Sequence, residues 1–131
     1  MSAAEEEYRR CMLGLCIWRE ARGETMDGML AVGQVIENRV SDSRWPDTYQ
    51  TVITQPWQFS AFNKNDPNSQ KWPEGFGWGW RHCWSAAKRV IDEDEDFAGG
   101  ANHYCTPAVN PAWAQPDKLV KTIGGHRFYR L

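Results

Sequence analysis

The sequence predicts a mainly α-helical domain of the α+β class, with irregular loops and room for a small β element. Three observations carry that expectation. Apolar side chains recur at the i, i+3, i+4, i+7 spacing of a helix in three stretches, near residues 2–23, 26–40 and 80–91. Runs that alternate with the period of a strand are few. The 131 residues, 41% of them hydrophobic, suffice for one compact core and not comfortably for two, so residues 1–131 are expected to form a single domain.

The first helix is expected to start at Ser2, with Glu5 placed for a capping box. Tyr8, Cys11, Met12 and Leu15 follow at helical spacing, and the segment from Cys11 to Trp18 is apolar nearly all round, which implies burial on most sides. Gly23 marks its end. A second helix fits Met26 to Val40, with Met29, Val32, Ile36 and Val40 as its apolar stripe and Glu37 and Arg39 off it. Thr48 is placed to cap a short helix carrying Tyr49, Val52 and Ile53, which Pro56 ends. Residues 56–79 read as irregular. A third long helix fits Trp80 to Ile91, and the tail from residue 99 reads as short extended pieces punctuated by Gly and Pro.

Net charge is −2, which gives no reason to expect nucleic-acid binding. No apolar run is long enough to span a bilayer, so no membrane insertion is expected. The acidic start, with Glu5, Glu6 and Glu7, is unlike a signal peptide and points to synthesis in the cytoplasm. Cys11, Cys16, Cys83 and Cys105 include no CxxC pair; Cys11 and Cys83 fall on apolar helical faces, where buried free thiols are expected. His82, His103 and His126 raise the question of a metal, but no HExxH occurs and no acidic residues complete a ligand set; no metal or cofactor is expected. The run Asp92 to Asp96 lacks the glycine and final acid of a calcium loop and reads as a solvated turn.

The most informative stretch is Trp18-Arg19-Glu20-Ala21-Arg22-Gly23-Glu24. On a helix, Glu20 shares a face with Cys16 and Ile17, at the end of a buried apolar segment. Burial disfavours the carboxylate and raises its pKa above the free value of about 4.3. A carboxylic acid still protonated near neutral pH is what protonation of a glycosidic oxygen requires. Arg19 and Arg22 pull the other way, and a surface Glu20 paired with one of them fits the spacing as well. Glu24 is a second carboxylate, placed either for chemistry or to cap and orient the next element. The segment Gln55 to Asn63 mixes aromatics with amides and hydroxyls, as sugar sites do, and the eight tryptophans suit stacking on flat ligand faces.

Taken in order, several segments resemble the SleB-type cell wall hydrolases, a family of spore-cortex-lytic enzymes and phage endolysins. They are Glu20-Ala21-Arg22-Gly23-Glu24, Gly28 through Val40, Trp45-Pro46-Asp47-Thr48, Val52-Ile53 through Gln58-Phe59-Ser60, Asn110-Pro111-Ala112-Trp113, and Gly125 through Tyr129. The resemblance implies a lysozyme-like helical fold with a substrate cleft, and cleavage of the bond between N-acetylmuramic acid and N-acetylglucosamine in peptidoglycan. It implies a lytic transglycosylase with Glu20 as its one catalytic acid and base. It places Gln58, Phe59 and Ser60 on the sugar, Tyr104 in the cleft near Glu20, and Glu24, Asn102, Trp113 and His126 among the substrate-binding residues, with packing or support as the other role for His126 and Phe128. The stretch Asn63 to Trp80 departs from many relatives.

Lacking a signal peptide or a wall-binding domain, the chain looks more like a monomeric phage endolysin, made in the host cytoplasm and freed by a holin, than a spore enzyme. The alternatives are a hydrolytic muramidase with Glu24 as partner carboxylate, a non-catalytic glycan-binding module that needs no proton donor, and a metal-dependent amidase.

Overall fold

The structure is a computed structural model that describes residues 1–55, 66–67, 71–74 and 77–131, with Trp78 described by its backbone. Among the described residues, four α-helices are followed by a three-stranded antiparallel sheet: α1 Ala3–Ala21, α2 Met26–Val40, α3 Tyr49–Ile53, α4 Trp78–Asp92, β1 His103–Cys105, β2 Leu119–Ile123 and β3 His126–Tyr129. A short 3-10 turn at Pro116–Lys118 leads into β2.

The starts of α1 and α3 follow the sequence signals at Ser2 and Thr48, while α2 is capped by Thr25 rather than by Glu24. Ser2 Oγ accepts from the Glu5 backbone N–H, Thr25 caps α2 by accepting from Gly28, and Thr48 caps α3 by accepting from Thr51. Each satisfies one of the donors a helix leaves unpaired in its first turn. The third long helix begins at Trp78, before the expected Trp80, and Gly77 precedes it without a side-chain cap. The end of α1 falls near Gly23 as expected, but without a left-handed glycine closing it. The helix stops at Ala21 with Arg22 in a right-handed conformation, and Gly23 is not among the glycines with positive φ, which are Gly99, Gly100 and Gly124.

α2 is the central helix. Met29, Leu30, Val32, Val35 and Ile36 are all buried, so its apolar surface is much wider than one stripe, while Val40 is only half-buried. Around it pack Leu13, Cys16 and Ile17 of α1, Val52 and Ile53 of α3, and Cys83, Ala87 and Val90 of α4. Burial of each of the larger side chains contributes about 1.5–3 kcal/mol. Gly33 lets three helices meet closely: a Cβ there would sit 2.9 Å from Ile17 Cδ1 and 3.2 Å from a Val90 methyl. α1 buries Leu13, Gly14, Cys16 and Ile17 but leaves Cys11 exposed, so the expected burial of that thiol is not found. The reason is angular: Cys11 lies on the rim beside Glu7 and Trp84, off the Leu13–Ile17 face. Cys16, Cys83 and Cys105 are buried, and all four thiols are free.

The sheet has the order β1-β3-β2, so β3 is central. Tyr104 pairs with Phe128 and His103 with Tyr129 across β1 and β3. Ile123 pairs with His126 at the β2–β3 turn, and a bulge interrupts the ladder between Leu119 and Lys121. The period of two buries His126 and Phe128 and turns Arg127 outward. Polar side chains of α2 fasten this sheet to the helices. Arg39 Nε donates to the Asn102 carbonyl at 2.7 Å, and Asn38 Nδ2 donates to the Ala101 carbonyl at 2.8 Å. Arg39 lies off the apolar stripe as expected, yet it is 5% exposed, because this bracket takes it inside.

Candidate active site

Glu20 stands on the last turn of α1, partly buried. Its pKa is raised to about 7, first by burial and then by the negative charge of Asp66. Neither Arg19 nor Arg22 neutralises it. Arg19 Nε donates to the Lys71 carbonyl at 3.2 Å, with its guanidinium over the Trp72 ring. Arg22 folds back over Trp18 and donates to the Trp18 carbonyl at 3.1 Å. The open question left by the spacing is thereby answered in favour of a buried acid.

Two groups lie near Glu20, one from β1 and one from α1 itself. Tyr104 arrives from β1, and its phenol pKa is pushed well up by burial, then by the charges of Glu20 and Cys16. Cys16 lies one turn back on α1, and its thiol is likewise pushed up, by burial and then by Glu20. The phenol and the thiol therefore stay neutral, and neither adds a permanent charge beside the acid. Asp66 is the residue that the sequence reading missed. It sits in the proline-bearing stretch that reads as irregular in sequence, where no periodicity assigns a direction to its side chain, so only its acidity could have marked it as a candidate.

Glu24 is tied down elsewhere. Its Oε2 accepts from the Gly125 backbone N–H at 3.4 Å, and its Oε1 lies 3.2 Å from His126 Nδ1, out of line for a hydrogen bond. A Cβ on Gly124, whose φ is +54°, would come within 2.5 Å of Oε2. Glu24 thus latches the α1–α2 turn to the β2–β3 turn. His126 has its pKa lowered by burial, with Glu24 opposing, and packs edge-on to Tyr104 at 5.1 Å. It is 7% exposed and supports the tyrosine from behind.

Asn102 is 5% exposed, and its polar atoms are engaged internally. Its Nδ2 donates to the Leu131 carbonyl at 2.9 Å, its Oδ1 accepts from the Leu131 N–H at 2.9 Å, and its own carbonyl receives Arg39. Trp113 lies between His103 and Tyr129, with ring centres 4.8 and 5.5 Å away. The structure thus gathers Glu20 with Tyr104 and Asp66, and sets Glu24, Asn102, Trp113 and His126 in bracing positions. Gln58, Phe59 and Ser60 lie outside the described residues. Among the described residues no three His, Cys, Asp or Glu side chains are grouped as metal ligands. A cavity of about 470 Å³ between the start of α1, the end of α2 and α3 includes none of these groups, so size alone does not locate the chemistry.

The fold is a mainly helical α+β body that presents one glutamate, its pKa raised by burial, at a helix end. The chain belongs to the cell wall hydrolase family, which it matches over residues 23–129. The match starts just after Glu20. The fold is also that of the catalytic domain of the germination-specific lytic transglycosylase SleB from Bacillus anthracis: TM-score 0.77 and 27% identity, covering 99% of this chain and 100% of that one. The SleB catalytic domain of Bacillus cereus gives the same TM-score at 28% identity, covering 95% of this chain and 91% of that one. Among sequence relatives, a spore cortex-lytic enzyme of Halalkalibacterium halodurans is 30% identical over 120 residues, 89% of this chain and 33% of its own length. One from Oceanobacillus iheyensis is 31% identical, over 89% of this chain and 40% of its own length. The chain therefore spans a third to two fifths of these relatives. They are spore cortex-lytic enzymes of bacilli and not phage endolysins, which overturns the expected host-cytoplasm synthesis and holin-dependent release.

Proposed function

We infer that the domain is a peptidoglycan lytic transglycosylase that cuts between N-acetylmuramic acid and N-acetylglucosamine, with Glu20 as its single acid and base. The observation that carries this reading is a carboxyl group whose pKa is raised to about 7 by burial. At neutral pH much of it holds a proton to give. The relatives' names make spore-cortex peptidoglycan the form of substrate to test first.

In the proposed reaction, the Glu20 carboxyl protonates the glycosidic oxygen as the bond from the muramic acid C1 to that oxygen breaks. The carboxylate left behind faces the positive charge developing at C1. It then takes the proton of the same sugar's 6-hydroxyl, whose oxygen bonds to C1 and closes a 1,6-anhydro ring. Proton and electron pairs balance without water, metal or cofactor, and a monomer suffices. Tyr104 borders the acid on the sheet side. Gln58, Phe59 and Ser60 are the proposed sugar contacts.

A hydrolytic muramidase is the second reading, and Asp66 is what favours it. A carboxylate near enough to raise the Glu20 pKa is a candidate base for water. Glu24 is a weaker candidate because its oxygens face Gly125 and His126.

Glu20→Gln is expected to lower release of soluble glycan fragments about 10²–10⁴-fold with the fold intact. A loss under tenfold overturns the assignment. Mass spectrometry of digested peptidoglycan separates the readings. Anhydro ends support the transglycosylase, reducing muramic acid ends that vanish in Asp66→Asn support the muramidase, and free stem peptides sink both. The kcat/KM of the wild type should fall as pH rises above about 7, when Glu20 loses its proton.

A further inference from the structure

Trp18 and Arg22 are four residues apart and share a flank of α1, while Glu20 lies about 200° round the helix from each. On their flank is a groove of about 450 Å³, walled by Trp18, Trp72 and Trp80, with Arg22, Lys71 and Glu74 at its edges. That volume is in the range of small-molecule sites, about 300–1,000 Å³.

Trp72 is 66% exposed, an unusual position for so large an apolar ring. It is nonetheless held in place. The Arg19 guanidinium lies 4.8 Å from its ring centre, and Arg19 is itself anchored on the Lys71 carbonyl. Arg22 is pinned over Trp18 at 4.3 Å. Neither Arg22 nor Lys71 forms an ion pair with a carboxylate among the described residues. Two cations that form no ion pair among the described residues stand with one carboxylate, Glu74, along a wall of indoles.

We propose that this groove is a second binding site, which takes an acidic sugar unit of the glycan strand: a muramic acid residue with the carboxylate it or its stem peptide carries. The apolar face of a pyranose stacks on an indole, and the carboxylate meets Arg22 and Lys71. A neutral sugar would use the rings alone and leave the cations idle. A helix with its side chains is about 10–12 Å across, so one polymer can touch this flank and reach Glu20. Occupying the groove then raises the local concentration of the strand at the acid. The site rests on the reading of the domain as a peptidoglycan enzyme.

The test uses the Glu20→Gln protein, which leaves its substrate uncut, titrated with purified insoluble peptidoglycan and with neutral chito-oligosaccharides. Adding Trp72→Ala should weaken binding to peptidoglycan about three- to tenfold, and Lys71→Glu should weaken it and flatten its salt dependence. The Lys71→Glu change should be smaller for the neutral oligosaccharide, whereas Trp72→Ala should weaken both ligands, because both stack on the ring. Circular dichroism and the melting temperature establish that each variant is folded. Peptidoglycan binding within twofold of the parent in both folded variants overturns the site. So does equal weakening of both ligands by Lys71→Glu, because the carboxylate would then play no part. The cleavage assay on the parent enzyme is a separate readout: no glycan release there removes the proposed reaction, whereas Trp72-dependent, salt-sensitive wall binding concerns the groove alone.

Discussion

The helices and the C-terminal sheet are held by different physics. In the helices, aliphatic side chains interdigitate around α2, and the same apolar periodicity that forms each helix also buries it. The sheet contributes the buried Phe128, but β2 is exposed along nearly its whole length. It is secured at particular points by Arg39, Asn38, Asn102 and Glu24. The first arrangement tolerates volume-conserving change at any one position, while the second concentrates stability in a few hydrogen bonds. The proposed site lies where they meet, with Glu20 from a helix and Tyr104 from a strand.

Two changes on α2 compare these regimes directly. Ile36→Ala, fully within the apolar core, should destabilise the whole domain by about 2–5 kcal/mol in denaturant titrations. Arg39→Ala removes the donor from the buried Asn102 carbonyl and should cost about 1–3 kcal/mol. Its loss should be uneven: amide exchange should quicken in residues 119–129 before it does in α2. Uniform exchange across both regions would mean that the sheet is not separately fastened.

Glu20 itself sharpens the contrast between stability and chemistry. Its folded pKa is raised, so its favourable contribution is complete below its unfolded pKa, about 4.5, and is lost as pH rises through about 7. Glu20→Gln has no such charge to bury. The variant should therefore be more stable than the wild type at pH 8, by on the order of 2 kcal/mol, with the gain shrinking towards zero near pH 4.5. A wild type that is the more stable of the two at pH 8 would mean that Glu20 is well solvated. The smallest effect is expected at Thr25→Ala, which loses the α2 cap and about 1 kcal/mol, read in thermal melts.

The helices were legible because periodicity and capping are local. Ser2 and Thr48 cap the helices they were expected to cap, and α2 spans the predicted residues, although Thr25 rather than Glu24 caps it. Glu20 was legible for the same reason, since its place at the end of an apolar run follows from counting along one helix. The sheet was expected only as extended pieces, because its strands are three to five residues long and pair across distant stretches of chain. The neighbours of Glu20 were harder still. Asp66 comes from an irregular stretch, and the engagement of Asn102 with Leu131 links residues 29 apart, which no spacing rule encodes. Arg39, charged and off the stripe, gave no sign that a strand carbonyl would bring it inside.

The latch at Glu24 has a consequence for how this molecule can vary. Glu20 and Glu24 lie within one short stretch, one aimed at the acid site and the other at Gly125 and His126. A residue inserted between them would rotate one relative to the other by roughly 100° if the helix lengthened. Substitutions there can be graded; insertions and deletions cannot, because no single adjustment restores both directions. Length in this pentapeptide should therefore be more tightly constrained than chemistry at its middle positions, and libraries that vary loop length should leave it alone.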